Sequence, residues 1–240
     1  MKKLPLFPTL GKVLKKSFVE AYQSIGFTFL ISLIWQIGYL LMIFAASPIL
    51  MINSQKSNGG SVVLGMLAVT AVNALLLGPL TATLYGFYQQ RKEGYPTFKT
   101  FINIFKTVYL RAAGINGLLW IANTLFVFNI VTAVPSQNLL LKISGLFSLY
   151  CLLFGAMMPF FFHPLIYLGY GIKKTIQKTF ILILDNFGLS FWLNLFLGVL
   201  LVVSTLFLFL LFLYGGLMIY VLDSGFGAIW DKYDEPQATE

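Results

Sequence analysis

Six polar side chains inside long apolar runs are the residues of this sequence most able to do chemistry. Five are amides and one is an imidazole: Gln36, Asn73, Asn116, Asn123, Asn194 and His163. Amides that converge on one cavity could line a path for a neutral or amphipathic solute. Amides that pair between helices only hold the helices together, at about 0.6 kcal/mol each. The sequence leaves both interpretations open, although helix-to-helix hydrogen bonds are enough to explain these residues.

The chain has one histidine and one cysteine, His163 and Cys151. A single thiol cannot close a disulfide within the chain, and two such ligands are too few for a structural zinc site. His163 could respond to protons near the end of its apolar run, but an imidazole beside Phe162 and Pro164 needs only a hydrogen bond there. We therefore predict no catalytic residue, no metal and no cofactor, and we expect that the protein is not an enzyme.

A stripe of small residues recurs at every fourth position of the second apolar run. Its members are Thr70, Ala74, Gly78, Ala82 and Gly86. Small residues at this spacing let two helix backbones approach closely, which matters because lipid supplies no hydrophobic force between helices. We predict that this stripe is a packing face, within one molecule or between two copies. Pro79 removes one backbone donor, so a kink is expected there.

Composition defines the elements that must position these residues. Hydrophobic residues make up 58% of the 240 residues, charged residues only 10%, and the mean hydropathy is +0.85. A soluble domain carries about 25% charged residues, so this chain could not cover its own surface in water. A helix of about 20 apolar residues crosses a bilayer core. We predict an all-α integral membrane protein with five transmembrane helices, near residues 24–47, 62–88, 112–134, 143–168 and 188–221.

The last of these runs is interpreted as one long, tilted helix. Two helices of about 18 residues each would leave no residue for a turn between them. No Asp, Glu, Lys or Arg falls within the five predicted spans, and Asp185 is the only acidic residue expected near a span on the basic side. Proton-coupled pumps and intramembrane hydrolases usually need such a residue, so we expect neither activity.

Basic residues are divided unequally between the two sides of the predicted spans. The net charge is +8, and all Lys and Arg residues except Lys56, Lys142 and Lys232 fall on one side. Cytoplasmic loops carry the excess of Lys and Arg in multi-pass proteins. We therefore predict a cytoplasmic N-terminus and an acidic tail, residues 231–240, on the outer side. An even number of spans would move only the tail.

The predicted cytoplasmic side also carries three amphipathic segments, at residues 8–22, 97–110 and 172–184. Such helices lie in the headgroup layer, where each basic residue contributes about 1 kcal/mol of attraction to anionic lipid. The first and third segments form a weak repeat that places Lys16 over Lys178 and Ser24 over Asn186. The lysines expected at lipid headgroups are Lys12, Lys16, Lys99, Lys106, Lys173, Lys174 and Lys178.

One stretch resembles a known group of proteins. It reads Asn-Ala-Leu-Leu-Leu-Gly-Pro-Leu-Thr-Ala-Thr-Leu-Tyr-Gly-Phe-Tyr over residues 73–88, and Arg91-Lys92-Glu93-Gly94 and a Phe-rich basic helix at 98–105 follow. With a later stretch at 159–191, it resembles the YesL-like families of bacterial multi-pass proteins over about half the chain. The resemblance implies an inner-membrane protein, in some relatives encoded beside carbohydrate-uptake systems, and it transfers no catalytic residue. A full span before the Gly-Pro helix departs from that pattern.

The function expected from these features is that of a non-enzymatic accessory or scaffold protein. Its basic segments would bind membrane lipids or a membrane-protein partner such as a transporter. The alternative is a small carrier or channel for a neutral or amphipathic solute. Nucleic acid is not an expected partner, because the basic residues flank membrane spans, and a homo-oligomer is left open. Amides that share one hydrated cavity would favour the carrier, and separate helix-to-helix contacts would favour the scaffold.

Overall fold

The structure is a computed structural model that describes residues 5–54, 65, 67, 69 and 71–234. All regular elements of that part of the chain are helical, which confirms the predicted all-α class. A π-helical turn covers Asn73–Leu77. The α-helices are α1 (Leu6–Gln23), α2 (Ile25–Ser54), α3 (Gly78–Glu93), α4 (Phe98–Ala133), α5 (Leu139–Tyr167), α6 (Ile172–Asp185), α7 (Phe187–Leu206) and α8 (Leu208–Asp234).

Five helical segments are long and apolar enough to cross a membrane, so the protein has the architecture of a multi-pass membrane protein. They are Ile25–Phe44, Phe98–Ala133, Leu139–Tyr167, Phe187–Leu206 and Phe209–Tyr233. Their number agrees with the prediction, but the set differs from it. The predicted span at 62–88 corresponds to the π-helical turn and α3 and lies partly outside the described residues.

The final apolar run folds as a helical hairpin, so the prediction of one long helix over 188–221 is wrong. Helix α7 ends before Phe207, which leaves the helical conformation with φ −114° and ψ 88°, and α8 begins at the next residue. Helix α8 then returns along the bundle, and the Tyr233 hydroxyl donates to Asp185 at 2.9 Å. The second helix has room because it continues to Asp234, well beyond the predicted end of the span.

The hairpin also brings the end of α8 to the basic end of the bundle. The ammonium of Lys178 lies 5.0 Å from the ring centroid of Trp230, and Asn186 donates to the Tyr233 hydroxyl at 3.2 Å. Residues 231–234 therefore lie on the same side as the basic segments, and the prediction that the tail lies opposite them is wrong for this described part. Lys232 joins the other cations, and among the described Lys and Arg residues only Lys142 lies at the opposite end.

The small-residue stripe of α3 faces α4 and α5 of the same molecule. A methyl group on Gly78 would lie 2.3 Å from the side-chain amide carbon of Asn116, and one on Gly86 would lie 2.7 Å from the ring of Tyr167. Neither position has room for a side chain. These glycines therefore allow the backbone of α3 to pack closely against its neighbours.

The π-helical turn occurs where a kink was expected. Proline has no N–H, and its ring collides with the carbonyl four residues earlier in a regular helix. Pro79 lies just after the π-helical turn, so its missing N–H falls where the regular i→i−4 hydrogen-bond pattern is already interrupted. Ala74 and Ala82, on either side of it, are buried. Thr70, the first member of the stripe, lies outside the described residues.

Two of the three predicted amphipathic segments form separate helices. Helices α1 and α6 are each joined to the next helix through one residue, Ser24 with φ −119° and ψ 40° and Asn186 with φ −129° and ψ 35°. These two positions are the ones that the sequence repeat superimposes. The segment at 97–110 instead runs without a break into its span, as the first part of the 36-residue helix α4. No proline interrupts α4, and Thr97 caps its start.

Candidate functional site

Three of the five predicted amides make separate hydrogen bonds in the bundle. Gln36 donates to a backbone carbonyl of α8, whereas Asn116 and Asn194 donate to carbonyls one turn earlier in their own helices, at 2.8 and 2.9 Å. The side-chain oxygen of Asn123 lies next to Gly155 of α5, and Asn73 lies in the π-helical turn. This arrangement favours a packing role over a shared solute path.

His163 lies in the core of the bundle and is 4% exposed. Its ring contacts the edge of Phe162 with 4.4 Å between centroids, and its Nδ1 has no hydrogen-bond partner among the described residues. No group of three or more His, Cys, Asp or Glu side chains in the described ranges could hold a metal ion. His163 therefore lies in a packed, aromatic part of the core.

A carboxylate that sequence analysis did not single out lies buried in α8. Asp223 is 8% exposed and forms an ion pair of 2.7 Å with Lys92 of α3. It also accepts a hydrogen bond from the Gln89 amide, and the hydroxyls of Tyr85 and Tyr88 lie 3.4 and 3.5 Å away. The expectation that membrane-spanning helices carry no charged residue is therefore wrong at Asp223. A charge in such a helix is expensive and marks a position of structural or functional importance.

The partners of Asp223 carry a pattern in the sequence that could have revealed this cluster. Tyr85, Tyr88, Gln89 and Lys92 are spaced by three or four residues, so they share one face of α3. A polar face on a helix otherwise rich in small and apolar residues indicates a polar partner on a neighbouring helix. That partner could not be identified from the sequence, because the last predicted span, 188–221, ended before Asp223.

A pocket of about 490 Å³ adjoins this cluster at the basic end of the bundle. Tyr88 lies between the pocket and Asp223. Its hydroxyl donates to Glu20, which lines the pocket, at 3.0 Å, and it lies 3.5 Å from Asp223. The pocket collects residues from α1, the α1–α2 junction, α3 and α8. Its lining consists of Lys16, Glu20, Gln23, Ser24, Tyr88, Arg91, Lys92 and Tyr220.

Cations outnumber carboxylates in this pocket. Lys16 lies 3.9 Å from Glu20, which is a loose and largely exposed pair, and Lys92 is held by Asp223. Arg91 forms no ion pair with any described residue. The three cations and two carboxylates therefore leave one net positive charge at the site.

Arg91 is positioned by aromatic rings rather than by a carboxylate. Its guanidinium carbon lies 5.6 Å from the ring centroid of Phe27 and 4.7 Å from that of Tyr95. Cation–π contacts of this kind contribute about 0.5–1 kcal/mol at exposed sites, and they leave the N–H donors at the edge of the guanidinium available.

A second pocket lies between α6 and α8 and includes the lysine that the internal repeat aligns with Lys16. Lys178, which aligns with Lys16, lines a pocket of about 380 Å³. Its ammonium lies 4.6 Å from the ring centroid of Tyr170 and 5.0 Å from that of Trp230. In this second pocket aromatic rings of the protein cover the lysine, whereas Lys16 is mostly exposed.

The seven lysines predicted at lipid headgroups all belong to segments at the basic end of the bundle. All are exposed except Lys178, which is partly buried. The structure brings Lys16 together with Arg91 and Lys92, two residues that the predicted set did not include. Sequence spacing could not indicate this, because α1 and α3 are far apart in the chain.

Comparisons with known proteins provide no relative for this chain: no family model, no curated protein and no solved structure matches it. The resemblance to the YesL-like families stays a prediction. Support for a function therefore comes from the geometry of the basic end.

Proposed function

We propose that this protein is a non-enzymatic membrane component whose basic end binds anionic phospholipid. The observation that carries the proposal is the collection of nearly all described cations at one end of an apolar bundle, with Lys142 the exception. Each exposed basic residue near a membrane surface contributes about 1 kcal/mol of attraction to anionic lipid. Several such residues acting together are enough for a stable preference.

The helices that carry these cations also expose apolar side chains. Phe18 and Tyr22 of α1 and Phe98 of α4 are exposed large hydrophobic residues on segments that bear lysines. Aromatic and basic side chains on one interfacial helix are typical of headgroup-layer binding, because the ring enters the acyl region while the charge stays at the phosphates. This composition supports lipid as the partner rather than nucleic acid.

The carrier alternative has less support. The amides are used in separate contacts, and the buried charge of Asp223 is neutralised by Lys92 instead of facing an open path. By the positive-inside rule the basic end faces the cytoplasm. The resemblance to the YesL-like families favours the inner membrane of a bacterium. An accessory role beside a transporter or other membrane protein belongs to the same proposal, and a homo-oligomer is compatible with it.

Binding to lipid of defined charge tests the proposal. In flotation or nanodisc-exchange assays, the purified protein should prefer phosphatidylglycerol over phosphatidylcholine, and the preference should weaken as salt rises. Neutralising Lys99, Lys106 and Lys174 together should reduce it at least tenfold, since about 1 kcal/mol per residue is lost. Lys142→Gln, a single cation at the opposite end, is the control and should cost no more than about 1 kcal/mol, the contribution of one residue. Equal binding to both lipids, or an equal loss in the control, would contradict the proposal.

A further inference from the structure

We infer that the pocket between α1, α3 and α8 is a specific site for one phosphate group, held by Arg91, Lys92 and Lys16. The inference rests on the proposed function and narrows it. A preference for anionic lipid needs only a cation-rich surface, whereas this pocket would select a particular headgroup. The phosphate could belong to a lipid or to a small soluble molecule, and the structure favours the lipid.

The cations of the pocket come from two helices and face one cavity of about 490 Å³. This volume is within the range of about 300–1,000 Å³ that is usual for small-molecule sites. The planar guanidinium of Arg91 can donate two parallel hydrogen bonds to a phosphate. Its cation–π contacts with the rings of Phe27 and Tyr95 restrict its motion. Lys92 and Lys16 add two further positive charges to the lining.

The charge of the site fits a phosphodiester. The pocket and its buried neighbour Asp223 together carry one net positive charge, because Glu20 and Asp223 offset two of the three cations. A phosphodiester carries one negative charge and would neutralise the site, whereas a phosphomonoester dianion would leave an excess negative charge. Lipid headgroups joined through a phosphodiester are therefore favoured over free phosphate.

The pocket lining also includes a hydrogen-bond acceptor and other polar groups. Glu20 accepts the Tyr88 hydroxyl and retains further acceptor positions, and the side chains of Gln23 and Ser24 lie beside it. Such groups can bind the hydroxyls of a polyol next to the phosphate. A glycerol-type headgroup offers a phosphate to the cations and hydroxyls to the polar groups of the pocket. Its single negative charge balances the net positive charge of the site.

The surroundings of the pocket suit a lipid. The chain next to Gln23 and Ser24 carries two exposed apolar residues, Tyr22 and Ile25, which provide a surface for acyl chains. A soluble phosphate compound would gain nothing from this surface. The lipid is therefore expected to bind more tightly than the corresponding soluble headgroup.

Calorimetric titration of the full-length protein in detergent tests the inference. The ligands are short-chain phosphatidylglycerol, short-chain phosphatidylethanolamine, glycerol 3-phosphate and inorganic phosphate. We expect saturable binding of one phosphatidylglycerol per protein and weaker binding of phosphatidylethanolamine. Arg91→Gln should weaken the binding of phosphatidylglycerol at least tenfold, and Arg91→Lys should have an intermediate effect because it keeps the charge but loses the planar fork. Thermal unfolding of each variant checks that it is folded.

Lys106→Gln is the matched control, because Lys106 is an exposed cation at the same end but outside this pocket. As one charge of the general basic surface, it should weaken the binding of phosphatidylglycerol by no more than about fivefold, which corresponds to about 1 kcal/mol. Equal losses in Arg91→Gln and Lys106→Gln would overturn the inference and leave the proposed function standing, since only general surface charge would then matter. Inorganic phosphate or glycerol 3-phosphate binding as tightly as the lipid would support a phosphate site but overturn its assignment to a lipid headgroup. Absence of any preference for anionic lipid would instead contradict the proposed function itself.

Discussion

Lys92→Met is expected to destabilise the folded bundle by about 2–4 kcal/mol, because it leaves the carboxylate of Asp223 buried without its cation. The expected loss of unfolding free energy is smaller than for a fully buried ion pair, because the side chain of Lys92 is 45% exposed and part of its charge is screened. Asp223→Asn should cost less, because the released ammonium can turn towards the headgroup layer. Unfolding by SDS in mixed micelles measures both effects.

The pairing is best isolated with a double variant. Lys92→Met combined with Asp223→Asn should be less destabilised than Lys92→Met alone, because no uncompensated charge then remains. Lys106→Met, which changes an exposed lysine at the same end, should alter the unfolding free energy by less than about 0.5 kcal/mol. If the two single effects simply add, the Lys92–Asp223 contact does not hold α3 and α8 together.

Gly216→Ala is expected to destabilise the bundle by about 1–3 kcal/mol through overpacking of α8 against α2. The new methyl group would lie 2.5 Å from both the carbonyl oxygen and the side-chain methyl carbon of Thr28, and a backbone atom cannot move aside as a side chain can. The N–H of Gly216 also donates to the Ser32 hydroxyl at 2.7 Å, so the two helices would have to separate at a polar contact. Thermal unfolding in detergent measures the loss.

Gly227→Ala provides the comparison within the same helix. Nothing lies within 4 Å of the position that its methyl group would take, so the substitution should gain up to about 1 kcal/mol from helix propensity. The two alanine variants should therefore shift the unfolding temperature in opposite directions. Similar shifts for both would show that α2 and α8 do not approach each other at Gly216.

The fold could be predicted where the signal was local and periodic. The apolar runs predict membrane helices, and the basic amphipathic patterns before Ser24 and Asn186 predict α1 and α6, which end at those two residues. Both breaks have almost the same backbone conformation, as expected from the repeat. These features depend on composition and on spacing within a single helix.

The hairpin of α7 and α8 could not be predicted in this way. Its turn consists of Phe207, without the glycine, proline or charge that normally marks a turn. Chain reversal there is accompanied by packing of α8 against both α2 and α7. The predicted last span consequently ended too early and excluded Asp223.

The candidate site was harder to predict than the fold because it is assembled from distant segments. Lys16 was expected at lipid headgroups, but its neighbours Arg91 and Tyr220 come from α3 and α8. Residue spacing describes one helix at a time and carries no information on which helices meet. The pocket can therefore be recognised only from the three-dimensional structure, in which α8 packs beside α1.

Accessibility of single cysteines tests most directly whether the chain has one basic end that includes its C-terminal helix. In a Cys151→Ser background, cysteines are placed at Lys99, Lys142 and Asp231 and treated with a membrane-impermeant maleimide in sealed, oriented vesicles. Positions 99 and 231 should react together from one side, and position 142 only from the other. Reaction of position 231 together with position 142, while position 99 stays protected, would contradict the hairpin and the phosphate site built on it.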